Sequence, residues 1–499
     1  MDNKRSRNTS GTNVKLVKRA TFYVRRAMTF AVPVARRTSH IAFSFVLTAC
    51  TTGTYYQSNR SFNQDFEQGN LEAALKDLQA RSSEANGKKE FLYNVNNGLV
   101  LSMLSRYKES NDHFEKAYLF GEDYRMNYLN EVASYLTNPL FTTYKGEDHE
   151  HLMLLYYKAI NYVKQNNFDD ALVECRRLNI RLQQLSDRYD SPEKYREDAF
   201  INLMMGVIYE AGKDFNNAFI AYRNAYNLYT GSFGTMFNLG APQQLKTDIL
   251  RTAWLSGMID ELNLYKEEFG MPDYKHEITN NPELVFFWHN GLSPIKAEWG
   301  LTFVVNRRDD WLYFNNEEMS LAFPFHIGDY SDKDKDGLGS LSILRVAFPK
   351  YLERPVQFTQ AEVVVDDQRI SLEKAEDVNA IAFKCLQERM QLEMSKALIR
   401  LAMKKVTEAQ VRKTHTDIGS IVGIINAFNE KADTRNWQTL PHEIFYCRVP
   451  LKTGANKVTL HVGQPGKPEA ETFEFTYDAR EGQTLFHTFT SLESKYPTY

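Results

Sequence analysis

LMLLYYKAINYVKQNNFDDALVEC, residues 152–175, joins an apolar helical run, a polar turn and a second helical run in one unit. Three other stretches align with it without gaps: residues 55–78, 91–114 and 199–222. The first run of each carries Phe62, Gly98, Ala159 or Gly206, and twelve positions on the second run carries Ala74, Ser110, Ala171 or Ala218. Small side chains at such points let two helices approach closely. Four residues later come the larger Leu78, Phe114, Cys175 and Tyr222, while Leu71, Tyr107, Phe168 and Phe215 mark the turn.

This pattern resembles the tetratricopeptide repeat, and the turns Gln68-Gly69-Asn70-Leu71, Gln165-Asn166-Asn167-Phe168 and Gly212-Lys213-Asp214-Phe215 suit it. Repeats of this kind cannot bury their apolar faces alone. The resemblance therefore implies a stacked, curved rod whose concave side is free to take a peptide or protein. The units are unevenly spaced, so an extra helix at about 124–135 and a loop at 187–198 containing Pro192 are expected between them. A further helical pair, near 243–256 and 258–269, is expected to cap the stack before Gly270-Met271-Pro272.

After Pro282 strand-like runs replace the helical period, at 299–305, 343–348, 356–365, 443–449, 457–462, 472–477 and 485–490. Several alternate apolar with polar residues, which predicts antiparallel sheets with one wet face. A long helix is predicted over 375–413, with Val378, Ile381, Cys385, Leu392, Leu398, Ala402 and Val406 on a buried face. The apolar run 418–428 is too short to span a membrane and is expected to pack under the sheet, the alternative being a contact with the bilayer or a second subunit. The expected fold class is α+β: an N-terminal α-helical TPR-like solenoid (61–275), then a mixed α/β domain (283–499) with antiparallel strands and one long helix.

The N-terminus has the order of an export signal. Basic residues, Arg36 and Arg37 last, precede the apolar run 41–49, which ends at Cys50. Leu47-Thr48-Ala49-Cys50 resembles the bacterial lipobox, in which the Cys thiol accepts a diacylglyceryl group. Residues 1–49 are thus expected to be a lipoprotein signal peptide and 50–60 a tether. Translation from Met28 rather than Met1 would give a compact signal of 22 residues. Thr51 and Thr52, with no Asp, resemble the sorting signal for the outer membrane. The whole chain has 60 basic and 63 acidic residues; its first 49 hold ten and one, leaving 50 against 62, a net charge of −12. A surface that negative disfavours nucleic acid.

Three further constellations bear on chemistry. Asp332, Asp334, Asp336 and Gly337 match the first half of an EF-hand calcium loop, but position twelve is Ile343 where a bidentate Glu is needed, so a solvated turn is expected. The segment 144–151 gathers acids with His149 and His151, two apart and so not on one helical face; Glu147 and Asp148 suit a helix N-terminus. Cys175 and Cys385 fall at apolar helical positions and Cys447 leaves an odd count, so buried free thiols are expected. No Gly-rich phosphate loop, nucleophile elbow or paired-Cys zinc motif occurs, so no cofactor beyond the lipid on Cys50 and no catalytic residue is expected.

Most of the exported chain resembles a family of uncharacterised bacterial lipoproteins with tetratricopeptide-like N-terminal halves. The resemblance is carried by 144–148, 171–177, 346–351 and 431–441. It implies an envelope location and supplies no catalytic residues. Candidate partner-binding residues are Tyr144, Glu147, Asp148, Glu174, Arg176, Arg177, Asp433, Arg435 and Trp437. The 433–441 segment suits a recognition loop or a structural corner, and Glu174, Arg176 and Arg177 a functional patch or a salt-bridged helix surface. The expected function is a lipid-anchored, periplasm-facing outer-membrane scaffold that holds an envelope protein, oligomeric state open. Alternatives are a carbohydrate-binding or glycan-directed periplasmic enzyme, needing two carboxylates in a cleft, and a structural subunit of an envelope assembly.

Overall fold

The computed structural model describes residues 54–126, 142–186, 195–277, 279–332, 335, 338, 341–414, 432–464 and 471–494. After a single turn, α1 (Tyr55–Ser58), the first half forms helical hairpins: α2 (Arg60–Glu67) with α3 (Leu71–Ala80), α4 (Glu90–Met103) with α5 (Tyr107–Met126), and α6 (Asp148–Lys164) with α7 (Phe168–Ser186). Then come α8 (Ala199–Ala211) with α9 (Phe215–Thr230), the short α10 (Ser232–Phe237), and α11 (Gln243–Leu255) with α12 (Ile259–Glu268).

One turn chemistry closes all of these hairpins. Gly69, Ser105, Asn166, Lys213 and Gly257 each take a positive φ, between 56° and 75°. The next N–H then reaches back to the carbonyl five residues earlier: Asn70 to Asp65, Arg106 to Leu101, Asn167 to Tyr162, Asp214 to Tyr209 and Met258 to Ala253, all at 2.8–2.9 Å. This is the Schellman closure of a helix C-terminus, and it makes the expected cap a fifth copy of the unit. The cost of the left-handed residue is least for glycine, yet Ser105, Asn166 and Lys213 bear it.

The small-residue positions do what their spacing implies. Ala74, Ser110, Ala171 and Ala218 are fully buried, and so are Phe114 and Tyr222. A Cβ at Gly98 would lie 2.7 Å from the Phe114 ring, and one at Gly206 only 2.3 Å from the Tyr222 ring. Gly206→Ala is therefore expected to destabilise the fold by about 1–3 kcal/mol through overpacking. Urea unfolding measures this, and an unchanged midpoint would show that the helices can part at no cost.

Among the described residues the second half holds three four-stranded sheets. The strands are β1 (Glu283–Asn290), β2 (Ile295–Arg308), β3 (Trp311–Asn316), β4 (Leu321–His326), β5 (Ile343–Leu352), β6 (Gln360–Val365), β7 (Gln368–Ser371), β8 (Glu373–Glu376), β9 (Glu443–Pro450), β10 (Gly454–Gly463), β11 (Glu471–Ala479) and β12 (Thr484–Ser491). Their orders are β12-β1-β9-β8, β11-β10-β6-β7 and β4-β3-β2-β5. Helix α13 (Val378–Thr414) runs between cores: Val378, Ile381 and Cys385 join the solenoid's core, whereas Met394, Leu398 and Leu401 cover the third sheet. Among the described residues no helix is long and apolar enough to cross a membrane.

Several expectations need correction. Strand pairing is not wholly antiparallel, because β1 and β12 run parallel, Glu283 opposite Thr484. Residue 375 belongs to β8, so α13 starts at Val378. In the expected strand 356–365, Val356 makes only an isolated bridge to Ser494, and the strand begins at Gln360. The expected tether 50–60 is already helical from Tyr55, whose N–H donates to Thr434 Oγ1 at 3.0 Å. The expected helix at 124–135 and the run 418–428 extend into or lie outside the described residues, and all but the last four residues of the 187–198 loop lie outside them.

The largest correction concerns the concave side. The first helix of every hairpin meets the C-terminal half. Asn63 of α2 accepts from Gln438 at 2.6 Å, Asn96 of α4 from Thr439 at 2.9 Å, and Tyr156 of α6 is bonded to His289 of β1 at 2.8 Å. Phe200 of α8 packs edge-on against Phe287 of β1, and Asp248 of α11 pairs with Arg448 of β9. The solenoid's inner side is thus filled by the chain's own sheet. The expected boundary near 283 separates two architectures that share one core, in which Val285, Phe287, Trp437, Ile444 and Tyr446 join the helical residues. Alternate residues of the same strands, Phe286, Trp288, Phe445 and Cys447, face a second core against the β11-β10-β6-β7 sheet. The physical reason is in α6: Tyr156 and Tyr157 point inward and would leave large aromatic surface in water without a cover.

Candidate functional site: a buried charged junction

Two candidate segments far apart in sequence, 144–148 and 433–437, fold against each other where α6 begins. Glu147 is the N-cap of α6 and forms a reciprocal capping box with Glu150, so both carboxylates are held at the helix's positive end. Lys296 of β2, 1 % exposed, forms an ion pair with Glu147 and donates to the Arg435 carbonyl at 3.0 Å. Arg389 of α13 completes the group, 2.6 Å from Glu147 Oε2. Glu150 accepts from the Trp437 backbone N–H at 2.6 Å, from the Glu147 N–H at 3.0 Å and from the Tyr144 hydroxyl at 2.9 Å. Arg435 pairs with Asp433 at 2.7 Å, donates to the Thr142 carbonyl at 3.0 Å and lies over the Tyr144 ring.

Environment separates the two glutamates. Burial alone would raise the Glu147 carboxyl, but Arg389 and Lys296 overcome that and hold it at about 2. Burial raises Glu150 to about 7, and the charge on Glu147 adds to the effect. The signs follow. Glu147 contributes stability that is present above its unfolded value of 4.5 and is lost as pH falls toward 2. Glu150 keeps in the folded state a proton that the unfolded chain releases above 4.5, so its contribution falls as pH rises from 4.5 to 7. Glu150→Gln, which cannot ionise, is expected to flatten the decline between pH 5 and 7 and leave the acid limb in place. Urea midpoints across that range check this; an unchanged decline would exclude Glu150 as a source.

Tyr144, Glu147, Asp148, Arg435 and Trp437 are all buried, Trp437 completely. Of the two readings open for 433–441, the structural corner is the one the geometry takes, and as a surface for an outside partner these residues are corrected: their partners are in this chain. Glu174, Arg176 and Arg177 lie elsewhere, on α7. Glu174 is buried against Lys158 at 3.0 Å and Arg177 at 3.1 Å, while the exposed Arg176 donates to the Tyr209 hydroxyl. Arg176 thereby ties its hairpin to the next one and Arg177, 3.6 Å from Glu115 of α5, to the previous one, whereas Glu174 pairs within its own. In the calcium-like turn Asp332 is exposed, whereas Asp334 and Asp336 lie outside the described residues, as does Cys50. Cys175, Cys385 and Cys447 are buried free thiols. No group of three or more His, Cys, Asp or Glu among the described residues is placed to hold a metal ion.

A second charged junction joins residues that no sequence motif singles out. Arg448 of β9 reaches Glu210 of α8 at 2.6 Å, Asp248 of α11 at 3.2 Å and Glu283 of β1 at 2.6 Å, and Arg251 pairs with both Glu210 and Asp248 at 2.6 Å. Burial would raise Glu210, yet Arg251 and Arg448 hold it at about 2. The available signal was a lone charge in an apolar run: Arg448 in EIFYCRVP, Glu210 in LMMGVIYEA, Lys158 in LLYYKAI. Beside the first junction, His149, Tyr156, Tyr195, Asp198 and Glu376 line a cavity of about 20 Å³, room for one water-sized guest and not for a sugar. The chemistry both junctions perform is to lock solenoid to sheet in one register.

No family model matches the chain, and no curated protein matches it. Among solved structures it is similar to MamA, at 11% identity over 43% of this chain and 97% of that one, with a TM-score of 0.27. It is also similar to a putative kinesin light chain with TPR-like repeats from Podosopora anserina, at 9% over 44% and 94%, TM-score 0.28. A third is the Rap conjugation gene regulator of the plasmid pLS20 in complex with the Phr* peptide, at 13% over 52% and 76%, TM-score 0.25. Likenesses this slight carry no argument. The repeat assignment rests on the five identical turns and the close helix contacts.

Proposed function

We propose that this chain is a lipid-anchored envelope protein, tethered at Cys50 to the outer membrane and facing the periplasm, that serves as an interaction scaffold for envelope machinery. The observation that carries this reading is the junction of an export-type apolar run with Cys50, followed within five residues by the buried Tyr55. An acyl chain there would hold the folded body against the bilayer. The rigid union of solenoid and sheets suits a platform, with recognition on its outer surfaces because its inner side is filled. Labelling cells with a fatty-acid analogue should mark the wild type and not Cys50→Ser. Equal label in both would remove the anchor. Crosslinking in whole cells should then recover an envelope protein; recovery of this chain alone would make it an assembly subunit instead.

A further inference from the structure

The two packed sheets end on the same side in β11 and β12, each hydrogen-bonded to a neighbour on one side only among the described residues. Edge strand β12, eight residues without Pro or Gly, lies beside the end of α6 at Lys164, and the edges away from this pair are blunted, as exposed sheet edges generally are. Edge strand β4 contains Pro324, edge strand β5 contains Pro349, β7 has four residues, and β8 has four with a register shift. Strand β11 has none of these devices: nine residues, no Pro or Gly, and an unbroken register with β10 from Ala479 to Glu471. Its inward side chains Phe473, Phe475 and Tyr477 are only half-buried, and they form a ladder with His487 and Phe489 of β12. Phe473 lies 4.5 Å from Phe489, and Phe475 lies 4.5 Å from His487, between ring centroids.

We infer that the outer edge of β11 is a docking strand, which takes an extended segment of a partner protein by strand addition, with apolar residues alternating with basic ones. Main-chain pairing gives such complexes affinity, and alternate side chains give them selectivity. The inner neighbour shows the chemistry that β11 accepts. Val458 and Leu460 of β10 lie opposite Phe475 and Phe473, and Lys457 pairs with Glu474 at 2.7 Å. On the exposed face Asp478 has no cation partner among the described residues, and neither has Glu471, which stands exposed at the start of the strand on the face of Phe473; an added strand with a lysine opposite each would complete the charge pattern. This inference rests on the scaffold reading and names where its partner would bind.

The probe is a fluorescent peptide copying residues 454–463 with Ala455→Lys and Val462→Lys, the positions that stand opposite Asp478 and Glu471 in the β10 register, measured by anisotropy on the purified exported chain in detergent. Binding is expected, weakened about tenfold at low salt by Glu471→Lys with Asp478→Lys, which are exposed and leave the Lys457–Glu474 pair intact. The same peptide N-methylated on alternate residues cannot form a ladder and is expected to bind at least tenfold more weakly. That control leaves the protein unaltered. Equal binding of the methylated peptide, or no binding of the plain one to the folded chain, overturns the inference. Displacement by N-acetylglucosamine oligomers, which stack on aromatic rings, overturns it in favour of a sugar platform. If the peptide fails while cell crosslinking still yields an envelope protein, the edge site is wrong and the scaffold reading stands.

Discussion

Trp437→Ala is expected to lower the unfolding free energy by about 3–5 kcal/mol, the range for deleting a fully buried large aromatic side chain. The ring has no exposed surface and sits 6.0 Å from Phe114 and 6.1 Å from Tyr157, centroid to centroid. It fills the space where two hairpins meet the C-terminal half, so its removal opens a cavity that neither rigid layer can close. Trp437→Phe should cost clearly less, because the indole N–H has no hydrogen-bond partner among the described residues and the ring volume is largely kept. Urea denaturation followed by circular dichroism measures both. A loss below about 1 kcal/mol for the alanine variant would mean that the corner is not packed as described.

The second large effect is expected from Arg448→Met. This substitution keeps an apolar stem in the sheet but removes the guanidinium that faces Glu210, Asp248 and Glu283. Breaking a buried ion pair from one side typically costs about 3–5 kcal/mol, mostly because the opposite charge is left behind in a poor solvent. Arg251 remains to satisfy Glu210 and Asp248 in part. Adding Glu210→Gln should therefore restore some of the lost stability. The single variant should also lose part of the stability that wild type gives up between pH 4.5 and 2, since Arg448 helps hold Glu210 at about 2. Additive losses in the double variant would show that the two residues do not share a network.

The helical half was legible because its signal is local. A small residue and its partner twelve positions on are fixed by one hairpin, and the hairpin turn lies between them. Strand β1 was not legible. ELVFFWHN shows no alternation because both its faces are buried, one on the solenoid and one on the second sheet. Its parallel partner β12 lies 201 residues away, from Glu283 to Thr484, which no local pattern encodes. The same limit governed the site. Tyr144, Glu147, Arg435 and Trp437 stood out as unusual within their own segments, but Lys296 and Arg389 sit in ordinary strand and helix sequence and gain meaning only when the segments meet. The filled inner side was the costliest miss, since a repeat pattern says that a face must be covered and not by what.

The most direct test concerns that cover. Lys164 at the end of α6 is bonded to Thr488 of β12, so the variant Lys164→Cys with Thr488→Cys places two half-buried thiols across the seam, while Cys175, Cys385 and Cys447 are buried. Treatment with a short bis-maleimide and peptide mapping by mass spectrometry should yield an intramolecular bridge between residues 164 and 488 at high dilution. Singly attached adducts alone, in a chain whose halves unfold in two separate transitions, would contradict a solenoid filled by its own sheet.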